Sequence, residues 1–146
     1  MKTLVKKSNL SSQNQSELLR EQGALFEADS DFLNALDCYN RVLQIDTNNQ
    51  EVLMVKGDLF VKTGRYEEAI ETYDKATNAF PNDSKLWLEK SKRFRRLKYH
   101  RQALECCDKA IEINPLESEA YDFKALILWR LQKLEGNRSF SPPLLR

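Results

Sequence analysis

The chain has 146 residues, of which 41% are hydrophobic and 31% charged, and its formal net charge is +1. That length suits a single domain, and a charge so close to zero singles out no class of partner by itself. Three cysteines, Cys38, Cys106 and Cys107, make no disulfide framework, because adjacent thiols on one helical stretch are badly placed to bridge; a reducing cytoplasm is the expected compartment.

Residues 1–15 are rich in Lys, Ser, Asn and Gln and offer only Leu4, Val5 and Leu10 for burial, which predicts a flexible tail. The lysines near the start are not followed by the apolar run of a secretory leader. No segment approaches the roughly 18 apolar residues of a membrane span, so no membrane partner is expected. From residue 16 the apolar residues recur at helical spacing. The pattern predicts helices over 16–28, 32–45, 50–62, 66–79, 84–97, 100–113 and 118–134. The second pair shows the logic best. Val52, Leu53, Phe60 and Val61 lie on one helix, and Tyr66, Ala69, Ile70, Tyr73 and Ala76 on the next. Gly64 breaks the two apart, since it takes the left-handed conformation without a steric penalty. Residues 135–146 contain Ser141-Pro142-Pro143, which cannot continue a helix, and a second flexible tail is expected there.

Shifting the chain by 34 residues aligns Ala35, Ala69 and Ala103, and likewise Tyr39, Tyr73 and Cys107. The same shift aligns Leu19, Leu53, Trp87 and Tyr121, then Gly23, Gly57, Ser91 and Ala125, then Phe26, Phe60, Phe94 and Leu128. Pro81 and Pro115 close their units at one offset, where the first unit has Thr47. Large, small, large on one helix against Ala, aromatic, Ala on the next is what close helix packing needs: the small residue lets the axes approach and the aromatic ring fills the gap.

On these residues the chain resembles the tetratricopeptide repeat, a 34-residue helical hairpin unit. The resemblance runs from Ser16 to about Lys133 and implies an all-α fold, a right-handed solenoid of antiparallel helix hairpins. Three full repeats are expected, over 16–49, 50–83 and 84–117, followed by a capping helix over 118–134. Departures are Cys107 in an aromatic place, and Lys56, Lys90 and Lys124 where the family pattern has leucine. These lysines are expected to lay their stems on the packing surface with the ammonium in water.

The family binds partner proteins in a concave groove lined by the first helix of each repeat, at the second, fifth, ninth, twelfth and thirteenth places. Carried over, these places are Glu17, Arg20, Ala24, Glu27 and Ala28 in the first repeat and Glu51, Met54, Asp58, Val61 and Lys62 in the second. They are Lys85, Leu88, Lys92, Arg95 and Arg96 in the third and Glu119, Asp122, Leu126, Trp129 and Arg130 in the last helix. The set is acidic at the start and basic in the third repeat, with Met54, Val61, Leu88, Leu126 and Trp129 as an apolar floor. It predicts a protein or peptide partner carrying acidic and apolar side chains. The carboxylate clamp that the family uses on chaperone C-termini is not expected: Arg20 and Lys85 are kept, but Ala24, Val55 and Glu89 replace its other groups.

Other chemistry finds little support. His100 is the sole histidine and starts a helix where its counterparts are Phe32 and Tyr66, so a packed ring is expected and no catalytic base. No residues gather at metal-ligand spacing, and neither a catalytic constellation nor a cofactor is expected. The competing class is nucleic-acid or other polyanion binding through residues 90–101, which hold Lys90, Lys92, Arg93, Arg95, Arg96, Lys98 and Arg101. It is disfavoured because the cations wrap the helix and no aromatic ladder is interleaved; simple solvation of a helix face is the plainer alternative. In the final helix Phe123, Ile127, Leu131 and Leu134 form an apolar stripe with no further helix to cover it, while Tyr121, Ala125 and Leu128 are expected to face the preceding repeat. Three covers are open to that stripe, the tail's own Phe140, Leu144 and Leu145 folding back, a partner, or a second copy of the chain, and a homodimer through the final helix is the favoured one.

Overall fold

The computed structural model describes residues 11–136, and these form helices and short connections throughout. The helices are α1 (Ser11–Ala28), α2 (Phe32–Ile45), α3 (Gln50–Lys62), α4 (Tyr66–Ala79), α5 (Ser84–Arg96), α6 (His100–Ile113) and α7 (Ser118–Leu134). The fold class is all-α, built of paired antiparallel helices of the solenoid kind. Two helix ends differ from expectation. α1 starts at Ser11 instead of near 16, and α5 closes at Arg96. Residues 11–15 contain neither Pro nor Gly, so a helix nucleated by the packed turns after them propagates backward at little cost. The expected tails fall mainly on residues 1–10 and 137–146, which lie outside the described residues.

Each hairpin is closed by a residue in the left-handed region, and these recur with the repeat: Ser30 (φ 60°), Gly64 (φ 78°) and Lys98 (φ 66°). In each turn the next backbone N–H reaches back to a helix carbonyl, Asp31 to Phe26 at 2.8 Å, Arg65 to Phe60 at 2.8 Å and Tyr99 to Phe94 at 2.9 Å. Ser30 and Lys98 carry a side chain where glycine is free of strain, a cost of about 1–2 kcal/mol that hairpin packing must offset. Asp31, Asn49 and Asp83 cap the starts of α2, α3 and α5 with side-chain oxygens, which satisfies backbone donors that helix starts leave unpaired.

The described residues divide into two units, one ending at Ala79 and one beginning at Phe80. In the first, α1 packs on α2, α2 on α3, and α3 on α4. Glycine makes the hairpins possible: a Cβ on Gly23 would stand 2.6 Å from Cε1 of Tyr39, and one on Gly57 would stand 2.3 Å from Cε1 of Tyr73. Both rings are buried. Ala35, Tyr39 and Val42 of α2 form a cluster with Val52 and Leu59 of α3. So Val52 and Leu59 are the face of α3 that meets the preceding helix, whereas Gly57 marks the face that meets the following one.

In the second unit α5 packs on α6 and α6 on α7. Ser91 takes the glycine place and donates its hydroxyl to the Ala103 carbonyl at 2.6 Å. Cys107, in the tyrosine place, donates its thiol to the Ala120 carbonyl of α7 at 3.0 Å; burial pushes this thiol up to about 11. Trp87 is half-buried and its indole N–H donates to the Pro81 carbonyl at 2.8 Å.

Two expectations are corrected here. Lys90 does not hold its ammonium in water: the residue is buried, and Nζ lies 4.8 Å from the Trp87 ring centre and 5.5 Å from that of Phe94, an arrangement in which the ring faces attract the cation. Lys56 is half-buried with its pKa lowered by that burial, whereas Lys124 pairs with Asp108 at 2.7 Å. The second correction concerns α7. Ile127 is fully buried, whereas Tyr121 and Leu128 are 46% and 37% exposed. Ile127 and Ala120 take the places of Leu59 and Val52, which meet the preceding helix; Tyr121, Ala125 and Leu128 take those of Leu53, Gly57 and Phe60, which meet the following one. At Ile127, Tyr121 and Leu128 the expectation is therefore reversed, and Ile127 has no surface to offer a second copy of the chain; of the other stripe residues, Phe123 and Leu131 are half-buried and Leu134 is exposed.

Candidate functional site: the faces of the first helices

In the first unit, α1 and α3 are tied by ion pairs between groove places: Arg20 with Glu51, and Glu27 with Lys62 at 3.4 Å. These pairs put the predicted residues of the two helices on one surface. Asp58 accepts a hydrogen bond from the Tyr73 hydroxyl, so it orients the ring that fills the hairpin. Val61 is half-buried and Lys62 exposed, whereas Met54 is buried and sits below the surface. Arg20, Glu17, Glu21 and Glu27 line a cleft of about 480 Å³ together with Ala24, Tyr39, Val52 and Val55.

In the second unit, α5 and α7 are tied in the same way. Lys92 pairs with Glu119 of α7 and with Glu89 on its own helix at 3.2 Å. Burial works against the charge of Lys92, but the hydrogen bonds it donates to Glu119 and Glu89 outweigh it and hold the pKa above the usual lysine range. The Arg95 guanidinium lies 5.4 Å from the centre of the Phe123 ring. Lys85 and Arg96 are exposed, Leu88 is buried, and Leu126 is half-buried. Trp129 is half-buried beneath two cations, with Arg130 at 5.8 Å and Lys133 at 5.0 Å from its ring centre.

His100 is half-buried, and its Nδ1 has no hydrogen-bond partner among the described residues. Burial, then Arg130, Arg95 and Lys98, lower its pKa, so the ring is neutral near pH 7. Among the described residues no group of three or more His, Cys, Asp and Glu side chains is placed to hold a metal ion, and no helix is long and apolar enough to cross a membrane. Two features escaped the sequence reading. One is the ring-covered ammonium of Lys90; the other is the cleft beside Tyr39, although Ala24 standing where the second repeat has Asp58 was a signal for it.

Comparison with known families and structures agrees with this architecture. Residues 26–91 match one tetratricopeptide-repeat model and residues 84–115 match another. The fold is tetratricopeptide-like, and proteins of this kind act as scaffolds that bind peptides or helices of other proteins. Similar structures include the Sgt2 TPR domain from Aspergillus fumigatus, at 23% identity over 90% of this chain and 87% of that one, with a TM-score of 0.64. The first TPR of Spaghetti (RPAP3) bound to the HSP90 peptide SRMEEVD is similar at 17% identity over 81% and 94%, with a TM-score of 0.62. The MamA protein is similar at 20% identity over 87% and 67%, with a TM-score of 0.61. A comparison with curated protein sequences finds no match.

Proposed function

We propose that this chain is a non-catalytic interaction module of three tetratricopeptide repeats and a capping helix over 118–134, holding a peptide or helix of a partner protein on the surface of its first helices. The observation that carries this reading is the pairing of first helices within each unit, Arg20 with Glu51 in one and Lys92 with Glu119 in the other. Within each unit, side chains at the groove places thereby share a surface on which a peptide segment can rest. Arg95, Arg96 and Lys85 supply positive charge on α5, which suits acidic residues of the partner. The polyanion alternative is weakened, because several cations of residues 90–101 are already committed: Lys90 over two rings, Arg93 to Glu89 and Arg101 to Glu135. Three free, buried cysteines fit a reducing compartment, and the cytoplasm is the proposed location.

Affinity capture with quantitative mass spectrometry tests this, comparing the wild type with a variant carrying Arg95→Glu and Arg96→Glu. Loss of specific protein partners with helical content unchanged supports the reading. An unchanged partner set shows that the basic face only solvates the helix, and capture dominated by nucleic acid supports the alternative.

A further inference from the structure

The first two hairpins differ at one point that has consequences for binding. In the second, the buried Tyr73 ring ends in a hydroxyl that donates to Asp58. In the first, the equivalent ring is Tyr39, only 3% exposed, and the place of Asp58 is taken by Ala24, whose methyl accepts no hydrogen bond. Tyr39 has no side-chain hydrogen bond among the described residues, and with Ala24 it lines the cleft beside α1. A nearly buried phenol that lines a cleft and has no protein hydrogen-bond partner among the described residues offers its polar end to a ligand group.

The charge around the cleft decides which partner. Three carboxylates, Glu17, Glu21 and Glu27, line it against a single cation, Arg20, and that cation is already paired with Glu51. Among the described residues Oε1 of Glu27 is buried, makes no hydrogen bond and has Lys62 at 3.4 Å as its ion-pair partner. Burial, then Glu27, push the Tyr39 hydroxyl up to about 12. The phenol therefore stays neutral near pH 7 and can accept from a cation while donating to a carboxylate. Ala24 gives the cleft an apolar wall suited to a methylene stem.

We infer that the cleft bounded by Tyr39, Ala24 and Glu27 receives a lysine or arginine side chain of the bound peptide, with Glu27 and the Tyr39 hydroxyl as acceptors. This rests on the reading of the chain as a peptide-binding module. It makes the α1 surface a reader of basic residues, opposite in sign to the cations of α5.

A phage-displayed library of random peptides selected on the full chain tests it. Selected peptides are expected to share one Lys or Arg. By fluorescence polarisation, replacing that residue with norleucine, or Glu27 with Gln, should each weaken binding about tenfold, the loss of one charge-assisted hydrogen bond. Combining the two changes should weaken it little further. Tyr39→Phe, which preserves the ring, should show a smaller loss that likewise vanishes with the norleucine peptide. Peptides that share no basic residue, or a Glu27→Gln loss that persists in full with the norleucine peptide, would overturn the inference and leave peptide binding intact. If no peptide is enriched over scrambled controls, peptide binding fails and the inference with it.

Discussion

α3 and α7 hold the same place in the repeat pattern, yet only α3 is covered on both faces. Toward the preceding helix the two agree: Val52 and Leu59 are 1% and 2% exposed, and Ala120 and Ile127 are fully buried. Toward the following helix they part. Leu53 and Phe60 are 1% and 6% exposed, whereas their equivalents Tyr121 and Leu128 are among the exposed large hydrophobics. A repeat pattern thus specifies which residues pack in which direction. It does not specify that something stands there to be packed against.

The largest expected effect lies on the face the two helices share. Ile127→Ala should cost about 2–5 kcal/mol, as deletion of a fully buried aliphatic side chain does, against less than about 1 kcal/mol for Leu128→Ala one residue later. Denaturant titration of both variants decides it, and equal losses would break the comparison. Next comes the face that only α3 has filled. Gly57→Ala drives a methyl into the buried Tyr73 ring and should cost about 1–3 kcal/mol. Ala125→Ser, at the matching place on α7, should stay within about 0.5 kcal/mol.

A smaller contrast separates the two tyrosines. Tyr73→Phe removes the bond to Asp58 and should cost about 1 kcal/mol, while Tyr39→Phe, with no such bond to lose, should leave the melting temperature nearly unchanged. The smallest effect is on pH dependence. The pKa of His100 is lowered in the folded chain, so between that value and the unfolded value near 6.5 the unfolded chain binds more protons, and stability falls as pH falls through this window. Replacing His100 with Phe should flatten that part of the stability–pH curve; a curve of unchanged slope would mean that the ring titrates alike in both states.

The helices were legible in the sequence because each apolar period was long and each hairpin turn was marked, at Gly64 most plainly. The register was legible because a buried tyrosine needs a small residue opposite it, and Gly23 and Gly57 supply one. Side-chain fate at Lys90 was not legible: a lysine in a leucine place can lift its ammonium into water or fold it over neighbouring rings, and the choice depends on Trp87 and Phe94 being within reach. The faces of α7 were misread for a related reason. Both are apolar, and only the internal example of α3 shows that Ile127 points toward the preceding helix. The groove places of α1 and α3, and of α5 and α7, do come together within their units. Met54 and Leu88, expected as floor, lie below the surface because a period of apolar places says nothing of how deep each one sits.

Side-chain caps begin α2, α3 and α5, but neither α6 nor α7 has one. Apart from side-chain pairs to α5, α7 packs on one helix of its unit, α6. A helix that lacks a hydrogen-bonded start and leans on one neighbour opens more readily than a helix fixed at its start and clasped on both sides. In native-state hydrogen exchange the amides of α7 should therefore exchange before those of α3, giving these two helices a graded order of local opening. The residues of α7 that face the open direction would then spend the largest share of time away from their native positions, ready to order around whatever segment comes to rest on them.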